Sequence, residues 1–433
     1  MSETKSERFP ARAMDRAEYM DRLISDQQIH CVVTLGDRVD PERLARAVRI
    51  TLDAEPVLGC RFVERPWRPY WERRHDLDEV TLFSLEEGSG SGEAMRSLMS
   101  FVTTPSDPRS DPLVQVRLFR SERDTVCVKI DHVAADTGGL KEYVYLLSDT
   151  YRRLAGDGSC ARTPRKLADR SLRQVLEQFG IAEKAKAMLS GSPPAQRWGF
   201  PWRGASHDGR EFAVRRLTVD RLTAVKEYGK GKGATVNDCV LAAYYRALFE
   251  LAGPEPGVGV TINVPIDLRR YRASGRAEAV CNLSGQLYPV VDRLPGEEFG
   301  GTLARVRDSM DALKSSMPGI GSAMTVAASV SPGPFVTGRV YSRVVAGELR
   351  SGRCNPYLSN LGILEPGRLD FVDAGAVDAY LVSPLMFAPG FLLGISTFAD
   401  AMTLTVGYAD ADANRPVVER FLDLVLADLV SLA

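Results

Sequence analysis

Residues 126–154 read VCVKIDHVAADTGGLKEYVYLLSDTYRRL, and this stretch decides how the chain folds. Its first half alternates between two faces, with Val126, Ile130 and His132 on one of them, which is the pattern of a strand. Its second half repeats apolar residues every three or four positions from Leu140 onward, which predicts a helix. His132 therefore lies where a strand ends and a loop begins. Such a place holds an imidazole rigidly and leaves it accessible, so His132 is a candidate for chemistry.

Length and composition describe an ordinary globular protein. At 433 residues the chain is long enough for two domains, and 44% of its residues are hydrophobic. The 55 basic and 56 acidic side chains nearly cancel, so no net charge attracts nucleic acid or an anionic membrane. No apolar run is as long as a membrane span, and the polar N-terminus lacks the pattern of a secretory signal.

Cysteine and histidine are both scarce and scattered. The seven cysteines include no CxxC pair, which argues against a disulfide framework or a zinc site and favours a reducing cytoplasm. The four histidines include no pair with the spacing of metal ligands, so we expect no metal. Of the four, His132 alone has an organised sequence context.

The elements suggest two α/β halves joined by a linker. We predict an N-terminal half over residues 1–165, a linker rich in Gly, Pro and Ser over 166–210, and a C-terminal half over 211–433. Strands and helices mix without strict βαβ alternation, which favours an α/β class with mixed or antiparallel sheets. The most clearly patterned elements are these: a strand Gln28–Leu35; a helix opening at Asp40-Pro41; a strand Leu113–Phe119; a helix Thr235–Leu251; a hairpin of Phe391–Phe398 and Met402–Tyr408; and a helix Arg415–Leu432.

Several weaker predictions complete the organisation. They are a flexible loop Leu85–Gly92, a weak helix Ser171–Leu189, a strand Val258–Val264, a strand Asn282–Val290, and a surface loop at 229–234 (GKGKGA). The last segment lacks the GKT or GKS ending of a phosphate loop.

By itself, His132-x-x-x-Asp136 is a weak motif. The alternative for His132 is a histidine on an apolar strand, satisfied by one backbone hydrogen bond. No GxSxG elbow, Walker A sequence or Rossmann fingerprint appears elsewhere in the chain. The residue pattern alone therefore leaves both interpretations open.

Five segments, taken in order, resemble one superfamily. They are 39–62 (VDPERLARAVRITLDAEPVLGCRF), 131–147 (DHVAADTGGLKEYVYLL), 234–248 (ATVNDCVLAAYYRAL), 263–270 (NVPIDLRR) and 358–362 (LSNLG). The second is similar to the HHxxxDG core of the condensation-domain superfamily. That superfamily includes chloramphenicol acetyltransferase, the plant BAHD acyltransferases, the mycobacterial phthiocerol diacyltransferases and the peptide-synthetase condensation domains. The resemblance implies two chloramphenicol-acetyltransferase-like halves with a tunnel at their interface.

The resemblance also implies roles for single residues. His132 matches the catalytic second histidine, and Asp136 matches the structural aspartate. Arg269 matches the arginine that pairs with this aspartate, and backbone N–H groups near Gly138 would help to stabilise an oxyanion. From the residues alone, Asp136 is equally an acid favoured at a helix N-terminus, and Arg269 an arginine in an exposed turn.

The sequence also departs from the superfamily pattern. Asp131 stands where many members have the first histidine, and Thr137 stands where they have glycine, unless Gly138 takes that place. A DFGWG segment is missing from the second half. Asn282 and Asn360 are further candidates for lining the site, with structural turns as the alternative for both.

The resemblance implies an acyltransferase in which His132 acts as general base. An acyl group would move from a thioester, on acyl-CoA or the phosphopantetheine of an acyl or peptidyl carrier protein, to a hydroxyl or amine of a small molecule. No bound cofactor is implied. We expect a cytoplasmic monomer of secondary metabolism. Two alternatives remain: a free-standing condensation enzyme acting on carrier-bound substrates, and a condensation-like scaffold with another reaction or a binding role.

Overall fold

The computed structural model describes residues 7–156, 164, 168–189, 191–372 and 374–432. The strands are β1 (Arg8–Pro10), β2 (Gln28–Leu35), β3 (Cys60–Val63), β4 (Tyr70–Arg73), β5 (Phe83–Glu87), β6 (Val114–Arg120), β7 (Asp124–Asp131), β8 (Glu211–Leu217), β9 (Gly259–Thr261), β10 (Val264–Asp267), β11 (Ser284–Leu287), β12 (Val290–Asp292), β13 (Tyr357–Leu364), β14 (Ala376–Val382), β15 (Leu392–Phe398) and β16 (Ala401–Tyr408). The helices are α1 (Ala13–Asp21), α2 (Pro41–Ala54), α3 (Ser91–Thr103), α4 (Thr137–Gly156), α5 (Arg173–Leu176), α6 (Ile181–Leu189), α7 (Val219–Gly231), α8 (Val236–Ala252), α9 (Phe299–Lys314), α10 (Ile320–Ser329), α11 (Pro334–Ser351) and α12 (Ala411–Val430).

The stretch 126–154 folds as its pattern predicts. Its strand β7 pairs antiparallel with β6, where Val114 lies opposite Ile130. Its helix α4 begins at Thr137 and buries a row of apolar residues that includes Leu140. The two elements are joined by a connection that begins at His132, so the histidine lies at the end of a central strand.

A five-stranded sheet carries this strand, in the order β14-β2-β7-β6-β5. Strand β2 has the predicted bounds, and α2 begins as expected, because Asp40 accepts hydrogen bonds from the N–H groups of Glu42 and Arg43 at 2.9 and 3.1 Å. Helices α2 and α4 pack together and contribute to one apolar core. The edge strand β14 comes from the second half of the chain and was not predicted.

A four-stranded sheet, in the order β13-β15-β16-β8, organises the second half. The predicted hairpin is confirmed as β15 and β16, with Ala399 and Asp400 at φ of 45° and 59° in its turn. Helix α8 is also confirmed, with Thr235 as its N-cap. Helices α8 and α12 pack against each other and bury their apolar faces in a second core.

Several weaker predictions were wrong. The segment 85–92 is not a flexible loop, because β5 pairs in parallel with β6 through Glu87 and α3 already begins at Ser91. The predicted helix 171–189 is interrupted between α5 and α6 around Gly180. Residues 229–231 of the predicted surface loop form the end of α7.

The two predicted strands 258–264 and 282–290 are each divided into shorter pieces. They form the separate pairs β9 with β12 and β10 with β11. Pro289 lies between β11 and β12 and cannot donate to a ladder, which is a physical reason for the division of the second strand. Helix α10 was not predicted at all.

The described residues form no helix that is both long and apolar enough to cross a lipid bilayer. Between α6 and β8 the chain runs without regular structure from residue 191 to 210, as its composition suggests. Residues 157–163, which include Cys160, and residues 165–167, at the predicted start of the linker, lie outside the described residues. The division at 165 and 210 stays a prediction.

Candidate active site

His132 lies on the wall of a cavity of about 250 Å³ between the two sheets. Helix α1 and the loop that precedes α4 form one side of this cavity. Strands β10, β11 and β13 of the second half contribute to the other side, including Ser359 and Asn360. The cavity thus joins residues that are far apart in sequence around a single imidazole.

Backbone hydrogen bonds hold the loop that carries His132. The N–H of His132 donates to the carbonyl of Gln27 at 2.8 Å. The side-chain amide of Asn282 donates to the carbonyls of His132 and Val133, both at 3.0 Å. Asn282 is fully buried and holds the loop from behind, and it is not among the residues that line the cavity.

Asp136 and Arg269 form a buried pair beside this loop. Two nitrogens of the Arg269 guanidinium contact the two carboxylate oxygens of Asp136 at 3.0 and 2.9 Å. The remaining capacity of the carboxylate is met by the N–H groups of Gly139 and Leu283 at 2.8 and 2.7 Å. The guanidinium also donates to the carbonyl of Cys281 at 2.8 Å. Since the contacts of Asp136 with Arg269 and with the N–H of Leu283 join the loop to the second half, the pair fixes how the two parts meet.

The ionisation of Asp136 follows from this pairing. Burial by itself would raise the pKa of Asp136, but the Arg269 charge and the two backbone donors hold that pKa below its usual value. Arg269 also contacts Asp267 at 3.1 Å and lies 3.6 Å from Glu142, so its charge is shared among three carboxyl groups. Burial raises the pKa of Glu142 to about 7.

Two glycines allow the close approach of the loop to Arg269 and to the neighbouring backbone. A Cβ at Gly138 would overlap the guanidinium of Arg269, and a Cβ at Gly139 would lie 2.9 Å from the carbonyl oxygen of Cys281. Thr137, which stands at the first position of α4, lines the cavity and is half-buried. The residue that must be small for the loop to approach Arg269 is therefore Gly138, one position after Thr137.

Glu18 of α1 lies beside the Nδ1 edge of the His132 ring. A carboxylate oxygen of Glu18 lies 3.3 Å from the Nδ1 atom of His132, and both side chains line the cavity. Burial lowers the pKa of His132, although the carboxylate of Asp136 and the histidine's own backbone carbonyl act in the opposite direction. Burial, with the nearby charges of Asp136 and Asp15, raises the pKa of Glu18 to about 8. The imidazole of His132, with a lowered pKa, thus lies beside a carboxyl group whose pKa is raised.

A second acid of α1, Asp21, lies one helical turn after Glu18 and also lines the cavity. Tyr341 of α11 donates a short hydrogen bond to its carboxylate. Burial, followed by the charge of Glu18, raises the pKa of Asp21 to about 7. Lys141 of α4 lines the cavity as well, and burial lowers its pKa.

Asp131 lies away from this cavity. Its carboxylate accepts the N–H of Val133 at 3.0 Å, and burial raises its pKa to about 7. Asn360 lines the cavity, is exposed, and accepts the N–H of Gly362 at 3.0 Å. Of the candidates from the sequence, the structure places His132, Asp136, Thr137, Gly138 and Asn360 on the cavity wall, and Arg269 directly behind Asp136.

Sequence analysis missed Glu18, Asp21 and Tyr341. The first two lie in the polar segment before β2, where the local signal for a helix is Asp15, an acid in the first turn of α1 that accepts the N–H of Arg12 at 3.0 Å. Across the described chain, no group of three or more His, Cys, Asp or Glu side chains is arranged to hold a metal ion.

Comparison with known proteins places this geometry in a fold family. No protein-family model matches the sequence, and no curated protein matches it. Solved structures do match, across nearly the whole chain. A trichothecene 15-O-acetyltransferase of Fusarium sporotrichioides is similar, with a TM-score of 0.73 and 12% identity over 100% of this chain and 97% of that one. This chain has the condensation-domain fold.

Two further structures with the condensation-domain fold support the assignment. The first condensation domain of the calcium-dependent antibiotic synthetase, in complex with a substrate analogue, has a TM-score of 0.70 and 16% identity, covering 98% of this chain and 96% of that one. Polyketide synthase associated protein 5 of Mycobacterium tuberculosis has a TM-score of 0.65 and 16% identity, covering 99% and 100%. The predicted fold, two chloramphenicol-acetyltransferase-like α/β halves with mixed sheets, is confirmed.

Proposed function

We propose that this protein is an acyltransferase that moves an acyl group from a thioester to a hydroxyl or amine of a small molecule, with His132 as general base. The observation that carries this proposal is the imidazole of His132 on the cavity wall, directly after the end of β7. Its Nδ1 atom is buried and faces Glu18, while 15% of the side chain stays exposed. The Nε2 edge of the ring is therefore the part available to a substrate.

The proposed reaction has two steps. Nε2 of His132 removes a proton from the acceptor hydroxyl or amine while the acceptor oxygen or nitrogen attacks the thioester carbonyl. When the tetrahedral intermediate collapses, the carbon–sulfur bond breaks, and the thiolate takes the proton back from His132. A positioned general base of this kind accelerates a reaction by about 10²–10⁴, and orientation of the reactants adds to this effect.

The start of α4 offers a place for the negative charge that develops on the carbonyl oxygen. The N–H of Gly139 already donates to Asp136. The N–H groups of Thr137 and Gly138 make no hydrogen bond to the described part of the chain, and both residues line the cavity. N–H groups at a helix N-terminus stabilise an oxyanion, so we assign this role to these two.

The role proposed for Glu18 concerns the tautomer of His132. When the carboxyl group is ionised, it favours a proton on Nδ1 and leaves the lone pair of Nε2 free to act as a base. When it is protonated, it can donate to Nδ1 instead, and the ring proton then lies on Nε2. Glu18 is thus a positioning residue in this proposal, and its ionisation controls the fraction of competent enzyme.

The donor is a thioester of coenzyme A or of a carrier protein. A second candidate function, condensation between carrier-bound substrates, is favoured by the similarity to the condensation domain at a TM-score of 0.70. A third, another reaction on the same scaffold, is favoured by the similarity to a domain described as an epimerization domain of tyrocidine synthetase B, with a TM-score of 0.65 and 14% identity.

Thiol release tests the proposal. The purified protein is incubated with a panel of acyl-CoAs, with and without pooled alcohols and amines, beside His132→Ala. We expect release that requires an acceptor and is lost in the variant. Release only with acyl groups loaded on a carrier protein would support the condensation function. The absence of release with either donor would overturn acyl transfer.

A further inference from the structure

Helix α11 is far less buried than its length requires. Of its 18 residues, only Val345 is buried. Helices in proteins are stabilised mainly by tertiary packing of an apolar face rather than by intrinsic propensity. An 18-residue helix that packs so little against its own chain leaves most of its surface open.

Large apolar side chains recur along the solvent-facing side of α11. Its large apolar side chains, with one neighbour from the β3–β4 connection, are between 40% and 60% exposed: Trp67, Phe335, Val336, Val340, Val344 and Leu349. Val336, Val340 and Val344 recur every fourth residue and share one face. The rings of Trp67 and Phe335 are in contact, with centroids 5.9 Å apart, and extend this face past the start of the helix. From Phe335 to Leu349 it spans about 20 Å, at about 1.5 Å per residue.

Arginines follow the same surface. Five lie on or beside it, all exposed: Arg65, Arg68, Arg339, Arg343 and Arg350. None forms an ion pair with the described residues, although ion pairs are common among the arginines elsewhere in the chain, as in Arg109 with Asp107. The one acid of α11, Glu348, is turned toward Gln196 and bonded to it at 2.6 Å. The surface is therefore basic, in a protein whose net charge is only −1.

The opposite side of α11 anchors it to the fold. Tyr341 donates its hydrogen bond to Asp21 on the cavity wall, and α11 contacts α1. The helix is thus fixed in place beside the cavity, with its valines and arginines outward.

We propose that this surface, the Val–Arg face of α11, docks the protein on an anionic lipid membrane. A helix that lies in a membrane interface buries aliphatic and aromatic side chains among the lipids, while arginines beside them carry their charge up to the phosphates. The adjacent rows of valine and arginine match that arrangement. Attraction of arginines to anionic lipid adds to apolar burial and is weakened by salt. This inference does not depend on the proposed reaction.

Vesicle sedimentation tests the inference. The full chain is mixed with vesicles of phosphatidylcholine alone or with phosphatidylglycerol added, at low and high salt. We expect binding to the anionic vesicles that is at least tenfold stronger than to the neutral ones and that falls with salt. Two double variants, Val340→Ser with Val344→Ser and Arg339→Gln with Arg343→Gln, should each weaken it by about tenfold or more.

Matched control variants distinguish binding through this face from nonspecific binding to vesicles. Val219 is 46% exposed on α7, and Arg123 is exposed in the β6–β7 turn, so Val219→Ser and Arg123→Gln should bind as the wild type does. Equal binding to both vesicle types, no binding, or unchanged binding by the double variants would overturn the proposal. A dimer that the double variants dissociate would assign the face to a second copy of the chain instead.

Discussion

Two buried carboxyl groups flank the loop that carries His132, and their ionisation differs. Asp136 meets a guanidinium and two N–H donors, and its pKa is held below the usual value. Glu18 meets an imidazole whose own pKa is lowered, and burial raises the pKa of Glu18 to about 8. Burial acts on both in the same direction, so the partner decides the outcome.

The two carboxyl groups have different roles in the same site, one structural and one chemical. Asp136 has a lowered pKa, and its hydrogen bonds all go to Arg269 and to backbone, so it holds structure together. Glu18 changes charge near neutral pH and contacts the imidazole, so it can influence chemistry. Four predictions test whether these roles are distinct.

The largest effect is expected at the group that lies between the two carboxyls. His132→Ala should reduce acyl transfer by about 10²–10⁴, because it removes the general base. Thiol release measures this, and circular dichroism checks that the variant stays folded. His75→Ala, at an exposed histidine, is the control and should leave turnover unchanged. A His132→Ala protein with wild-type turnover would contradict the assigned role.

Loss of the pair between Asp136 and Arg269 should lower the stability of the folded protein. Arg269→Met should lower the free energy of unfolding by about 3–5 kcal/mol, because it leaves a buried carboxylate without its cation. Adding Asp136→Asn should recover part of that loss. Urea denaturation of the single and double variants measures the coupling, with Arg270→Met at the exposed neighbour as the control. Additive losses would show that the two residues do not act as a pair.

The two carboxyls should also shift stability with pH in opposite directions. The folded state binds protons more tightly than the unfolded chain at Glu18 and Asp21, so the free energy of unfolding should fall as pH rises from about 5 to 8. Asp136 binds its proton less tightly when folded, so its contribution is present above about pH 4 and is lost as pH falls below that value. Thermal unfolding across pH 3–9 measures both changes: the loss of stability at rising pH from Glu18 and Asp21, and the loss at low pH from Asp136. If a Glu18→Gln variant loses as much stability between pH 5 and 8 as the wild type does, the contribution of Glu18 is contradicted.

The smallest effect is expected on the pH dependence of the rate. In the wild type, transfer should increase through about pH 8 as Glu18 ionises and frees the lone pair of Nε2. Glu18→Gln should lose this increase and fall to about one tenth of the wild-type rate above pH 8. A rate profile over pH 6–10 distinguishes this from a structural defect, which would lower the rate equally at every pH. Glu42→Gln, on the exposed face of α2, serves as the matched control.

Much of the architecture followed from local patterns. The strand and helix around His132, the cap at Asp40, the cap at Thr235 and the hairpin turn at Asp400 are all encoded within a few residues. Alternation, period and capping chemistry act over such short distances, and so they can be seen in one sequence.

Contacts between distant segments were harder to predict. Strand β14 joins the first sheet although it lies near the other end of the chain, and it was missed because edge pairing leaves little local signal. The strands around Pro265 and Pro289 were predicted too long, because the ladders that they join are set by tertiary partners.

By itself, the sequence determined where His132 lies, at the end of a strand and before a helix, and the resemblance implied that Arg269 pairs with Asp136. Only the tertiary structure decided what surrounds the imidazole. Glu18 and Asp21 reach the cavity because α1 packs beside it, and their pKa values depend on burial and on neighbours from other elements. Periodicity fixes local geometry, but charge in a buried site depends on what the fold brings within a few ångströms.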